Sequence, residues 1–153
     1  MSVSSPVTEW ELEYRPGKLR LYAVIAAVVV LAIHIVFGAL LTISDTGVRN
    51  VGALDQLSIM LIGVVIAGAI LLFTRPRIRV GPAGVSVRNL VTERLFEWDR
   101  VRGLSYPESG SSARLELPDD EYIPVLAVRA SDGDRAVAAM DRFRDLDAEY
   151  RCR

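Results

Sequence analysis

Two long runs without a formal charge constrain this chain more than any other feature. Between Arg20 and Asp45 lie 24 residues with no charge beyond what His34 carries, and between Asp55 and Arg75 lie 19 more. Residues 21–43 would form a helix about 34 Å long, enough to cross a bilayer. Residues 57–74 form a second, shorter run that Ala53 and Leu54 can extend by a turn. A buried helix of a soluble protein carries a polar stripe at period 3.6, and neither run has one. Both are predicted to be transmembrane helices. A cleaved signal peptide fits poorly, because its apolar stretch is shorter and ends at a small-residue cleavage site. The first run exceeds that length and a second follows at once.

Basic residues near the run ends set the expected orientation. Arg15, Lys18 and Arg20 precede the first run, and Arg75, Arg77 and Arg79 follow the second. The connecting residues 44–56 hold Arg49 as their one base. The positive-inside rule then puts both termini in the cytoplasm and residues 44–56 outside, in a multi-pass protein of the cell membrane. Gly63, Ala67 and Gly68 give the second helix a small-residue face for packing against the first, or alternatively for a homodimer seam. His34 is an intramembrane ionisable group, which by default points to function. It lacks partners at similar depth, so a neutral imidazole bonded to a backbone carbonyl is the expected state.

Chemistry is scarce elsewhere. The 153 residues hold 19 acids and 18 bases, a net charge of -1, which argues against nucleic acid as a partner. One cysteine, Cys152, and one histidine rule out a disulfide framework, a multi-cysteine zinc site and His-based metal clusters. No phosphate loop, nucleophile elbow or metalloprotease motif appears. Asp119-Asp120-Glu121 lacks the ligand spacing of a calcium loop and is read as a solvated turn. No catalytic, cofactor-binding or metal-ligating residue is assigned, and no cofactor is expected.

Residues 75–153 form the second unit, with 14 Arg against 14 acids. Its first part, residues 75–102, carries seven Arg and three acids, and Arg75, Arg77, Arg79 and Arg88 are its candidate contacts with the membrane surface. Short alternating segments fill the unit: residues 77–81, then a turn at Pro82-Ala83-Gly84, residues 84–89, 93–98, a stretch with Val101, Leu104 and Tyr106, 113–117 and 122–129. They predict six or seven strands in a small antiparallel sandwich or barrel. Pro124 marks an edge strand or a break. The period then changes. Ser131 followed by Asp134 has the spacing of a capping box, and Val137, Met140, Phe143 and Tyr150 recur at helical spacing, with Ala136, Ala139 and Leu146 between them. An amphipathic C-terminal helix is expected to close the strand assembly, giving an α+β domain.

The N-terminal residues 1–20 contain a further alternating stretch, residues 8–14. Thr8, Trp10, Leu12 and Tyr14 share one face of an extended chain, and Glu9, Glu11 and Glu13 the other. Seven residues cannot form a sheet alone. Trp10, Leu12 and Tyr14 are therefore expected to dock on an edge of the 75–153 domain as an added strand, with Arg15-Pro16-Gly17 breaking the strand before the first helix.

The order of these elements resembles the bacterial pleckstrin-homology-like (PH-like) domains, most specifically in Trp98-Asp99-Arg100-Val101. With Arg15-Pro16-Gly17 and two apolar runs ahead of the domain, the chain is similar over its length to actinobacterial membrane proteins typified by low molecular weight protein antigen 6. The resemblance implies two near-orthogonal antiparallel sheets closed by the terminal helix, with Phe143 standing in for the Trp frequent in that helix. It implies no ligand, since fold does not carry function. The lysine and arginine cluster of phosphoinositide-binding members is reduced here to Arg79 and Arg88. The expected function is a non-enzymatic, membrane-anchored interaction module that presents its domain to a protein partner or the inner leaflet. The alternative is an accessory subunit of a larger membrane complex that binds through its transmembrane helices. The lipid bilayer, an unidentified protein and a second copy of the chain are the expected partners.

Overall fold

The structure is a computed structural model that describes residues 9–43 and 52–152. Thr8, most of the expected external segment, including Arg49, and Arg153 lie outside the described residues. The chain divides into two units: Leu19–Thr74, and Met1–Lys18 together with Arg75–Arg153.

The first unit is a pair of helices, α1 (Gly17–Ile43, whose first residues belong to the other unit) and α2 (Ala53–Leu71), the latter followed by a 3-10 turn at Leu72–Thr74. Both are long and apolar enough to cross a membrane. Their outward residues are large and apolar: Val28, Phe37 and Val65 are each more than half exposed. Small residues mark where the helices meet. Ala23, Ala27 and Ala67 are buried, a side chain at Gly63 would collide with His34, and one at Gly38 would press on Met60. Gly68 has open space beside it, so it does not belong to the packing face expected for it. It follows Ala67 by one residue, and about 100° of helical turn carries it off the face. Asp55 lies inside the first turn of α2, where it accepts the Gly52 amide at 3.0 Å.

The second unit is a seven-stranded sandwich. One sheet runs β1 (Leu12–Tyr14), β2 (Arg77–Gly81), β3 (Gly84–Arg88), β4 (Glu93–Phe96), and the other β5 (Gly103–Ser105), β6 (Ser112–Glu116), β7 (Tyr122–Arg129). All pairings are antiparallel. Helix α3 (Asp134–Arg151) packs on the strands. Alternation in β2 and β3 sends Ile78, Val80, Val85 and Val87 inward, where they meet Leu115, Val125, Phe143 and Leu146. Burying each such side chain stabilises the fold by about 1.5–3 kcal/mol. The turn from β2 to β3 needs glycine at position 84, where φ is +128° and a Cβ would strike the Phe96 carbonyl. Pro124 sits in β7, an edge strand, as its missing donor requires.

Strand β1 ends at Tyr14, just before Arg15-Pro16-Gly17, and helix α1 begins within that segment at Gly17. Two local expectations are corrected. The capping box at Ser131 does not form: residues Ala130–Asp132 make a 3-10 turn, and α3 is capped by Gly133 at φ 55° with no side-chain bond. Val137 is 58% exposed, while Ala136, Ala139, Phe143 and Leu146 form the buried face of α3.

Candidate functional site

Strand β1 and strand β2 are neighbours in the sheet yet lie on opposite sides of the helix pair in sequence. Leu12 faces Val80, Glu13 faces Arg79 and Tyr14 faces Ile78. The helices are thus an insertion between the first two strands of the sandwich. Both connections leave from the same end of the sheet: β1 ends at Tyr14 three residues before α1, and β2 starts at Arg77 three residues after Thr74.

At that end sits Asp132, a buried carboxylate. The Tyr14 hydroxyl donates to its Oδ2 at 2.9 Å, the Gly17 amide donates to Oδ2 at 3.3 Å, and the Lys18 amide donates to Oδ1 at 3.1 Å. Asp132 therefore caps the N-terminus of α1, where four amides lack helical partners and the dipole favours an anion. Burial and the Asp132 carboxylate push the Tyr14 phenol up to about 12, and the Arg135 guanidinium 5.7 Å from its ring works against that rise. Nothing local in the sequence points Asp132 to α1, whose Lys18 lies 114 residues away.

The candidate tail residues part company. Tyr14 is buried and Leu12 packs against the core. A bend at Glu11 takes Trp10 out of their alternation: its ring lies 5.9 Å from the Arg79 guanidinium, on the outer face of the sheet. Glu11 instead accepts a hydrogen bond from Tyr150 on α3, and its amide donates to the Val80 carbonyl at 2.8 Å. Tyr150 also stacks on Trp98 at 5.2 Å, whose indole donates to the Gly81 carbonyl at 3.0 Å.

The candidate basic residues are largely paired. Arg77 and Arg88 face each other across β2 and β3, and both approach Glu93, at 2.9 and 4.0 Å. Arg79 binds Glu13 at 2.8 Å. Arg77 holds the Glu93 carboxyl below its ordinary 4.5, against the opposing effect of burial, with help from Ser86. Burial alone would raise the Glu13 carboxyl, but the hydrogen bonds and charges of Arg15 and Arg79 outweigh it and leave it lowered. Arg75 stands at the exposed start of the domain and makes no such pair among the described residues.

Sequence reasoning missed Asn89. It follows β3 directly, its Nδ2 donates to the Pro124 carbonyl at 2.9 Å and its Oδ1 accepts the Leu126 amide at 3.2 Å, so one side chain ties the first sheet to the second. His34 Nδ1 lies 2.8 Å from the Val30 carbonyl, one helical turn back. Among the described residues no three His, Cys, Asp or Glu side chains converge as metal ligands.

The family model for the bacterial PH domain matches residues 75–146. Uncharacterized proteins of Mycobacterium tuberculosis and Mycobacterium bovis are 48% identical over 143 residues, covering 94% of this chain and 92% of theirs. Their names say nothing of low molecular weight protein antigen 6. No solved structure matches the chain. The matched segment starts after both helices, so it leaves out β1, which the structure adds to the sheet.

Proposed function

The chain belongs to the bacterial PH domain family, and from that premise we propose that it is a non-enzymatic module anchored in the cell membrane by its two helices. In this reading the PH-like domain faces the cytoplasm and engages a protein partner or the inner leaflet. The observation that carries the proposal is the split first hairpin of the sandwich. Because β1 precedes the two helices and pairs with β2 after them, the chain must leave and return on one side of any bilayer that the pair crosses. A two-helix anchor inserted in this way supports a domain held tightly at the surface, and the basic residues flanking both helices support the cytoplasmic side.

A second reading, an accessory subunit that binds through its helices, draws on Gly68, a small residue with open space beside it on α2. Photo-crosslinking in native membranes separates the two. A crosslinker at Leu95 on the domain should capture a protein or lipid, whereas one at Val65 on α2 should capture bilayer lipid alone. Protein capture at Val65 and none at Leu95 would favour the subunit reading. Release of the chain by carbonate washing would remove the anchor from both.

A further inference from the structure

We propose that the turn between β3 and β4, residues 89–92, is an additional membrane contact, in which Leu90 and Val91 enter the boundary between headgroups and acyl chains while Arg94 meets an anionic headgroup. The proposal rests on the reading that α1 and α2 span a bilayer. Its first support is register. Arg77 lies opposite Arg88, and Arg88 opposite Glu93, so the turn joining β3 to β4 stands at the same end of the sheet as the start of β2. That is the end from which both helix connections leave. Adjacent strands are about 4.8 Å apart, which sets the turn only about 10 Å to the side of the α2 connection.

The second support is composition at that place. Val91 is 74% exposed and Leu90 is half-buried. A single exposed valine is ordinary on a protein surface, but here two adjacent apolar residues form the tip of a turn and are bracketed by Arg88 and Arg94. Behind the tip the apolar surface continues into a cleft of about 360 Å³, lined chiefly by Val87, Phe96, Ile123 and Leu126. Arg94 is exposed and makes no ion pair among the described residues, unlike Arg77, Arg79 and Arg88. It is therefore the cation of this sheet left available to a lipid phosphate.

The third support is rigidity. The Asn89 amide donates to the Thr92 carbonyl at 3.2 Å, and the Asn89 side chain is bonded to β7 through Pro124 and Leu126. The tip is thus held in shape before it meets lipid, and little conformational entropy is lost when it does.

Depth-dependent fluorescence in reconstituted vesicles tests the proposal. The full chain carrying Cys152→Ser receives one cysteine, by Val91→Cys, Ala83→Cys or Val65→Cys, labelled with an environment-sensitive dye. Ala83 lies in the exposed β2–β3 turn, at the opposite end of the sheet, and Val65 is on the outer surface of α2. In vesicles of phosphatidylcholine and phosphatidylglycerol containing doxyl-labelled lipid, the dyes at positions 91 and 65 should be blue-shifted and lose most of their intensity, and the dye at position 83 should do neither. A position-91 dye that behaves like the position-83 dye while position 65 is quenched overturns the turn contact and leaves the spanning helices standing. An unquenched dye at position 65 overturns the spanning reading, and the turn contact falls with it.

Discussion

Asp132 caps a helix that begins 115 residues before it: its carboxylate accepts the Lys18 amide at 3.1 Å and, through the other oxygen, the Gly17 amide and the Tyr14 hydroxyl. Removing the carboxylate leaves a buried phenol and two helix-terminal amides without their acceptor. Asp132→Ala should therefore lower the stability of the domain by about 2 kcal/mol. Asp132→Asn, which keeps one acceptor oxygen, should lose less. Thermal unfolding in mild detergent measures the first effect, and faster hydrogen exchange at the first turn of α1 identifies its place. Equal unfolding of the wild type and Asp132→Ala would show that the cap carries no weight.

Alkali should weaken the same node. The Tyr14 phenol ionises near 10 in an unfolded chain and near 12 in the folded one. A group whose folded value is raised contributes stability that is complete below its unfolded value and is lost as pH rises toward the folded value. Tyr14 should thus cost the domain on the order of 2 kcal/mol between pH 10 and 12. The matching measurement is chemical denaturation of the wild type and Tyr14→Phe across that range, and the gap between the two slopes is the Tyr14 contribution. Parallel slopes would contradict it.

Acid acts on the opposite sign. Glu13 and Glu93 are both held below the ordinary 4.5 by arginines, so their contributions are present above that value and are lost as pH falls through their folded values. Both carboxylates are about one-third exposed, and solvent screening keeps the effect small. Glu93→Gln should flatten the loss of stability below pH 4.5, with little change at neutral pH. A full acid transition in Glu93→Gln would assign the acid sensitivity to other carboxylates.

Much of the domain was legible in the sequence because its strands alternate cleanly: residues 77–81 and 113–117 show period 2, and Trp98-Asp99-Arg100-Val101 carried the likeness to the family. The helix pair was legible from charge alone. What stayed hidden depends on contacts between residues distant in sequence. No local pattern links Asp132 to α1, or Asn89 to β7, since both bonds exist only after the strands have paired. The four basic residues read as a surface patch are diluted for the same reason: Glu93 and Glu13 reach three of them across strands. Alternation over residues 8–14 was also too generous, because the bend at Glu11 leaves only Leu12–Tyr14 in the strand.

Strand β1 should be required for the integrity of the sandwich. Deleting residues 1–14 removes Leu12 and Tyr14 from the core and bares the edge of β2. The domain should unfold at a lower temperature in detergent, and amides along β2 should exchange faster, while those of β6 in the other sheet change least. Unaltered exchange along β2 would mean that the tail strand is dispensable.

The pairing of β1 with β2 also fixes what a topology experiment should find. If α1 and α2 cross the bilayer, the segment between them lies on the side opposite the domain, and the excess of Arg and Lys outside the helix pair predicts that the domain is the cytoplasmic part. In a Cys152→Ser background, Thr46→Cys, which lies outside the described residues, should react with an impermeant maleimide in intact cells. Ser111→Cys, in the exposed loop before β6, should react only after the cells are opened. The reverse pattern would keep the hairpin and invert its orientation. Reaction of both positions in intact cells would place the domain and the connecting segment on one face, and would remove the transmembrane reading of the helices altogether.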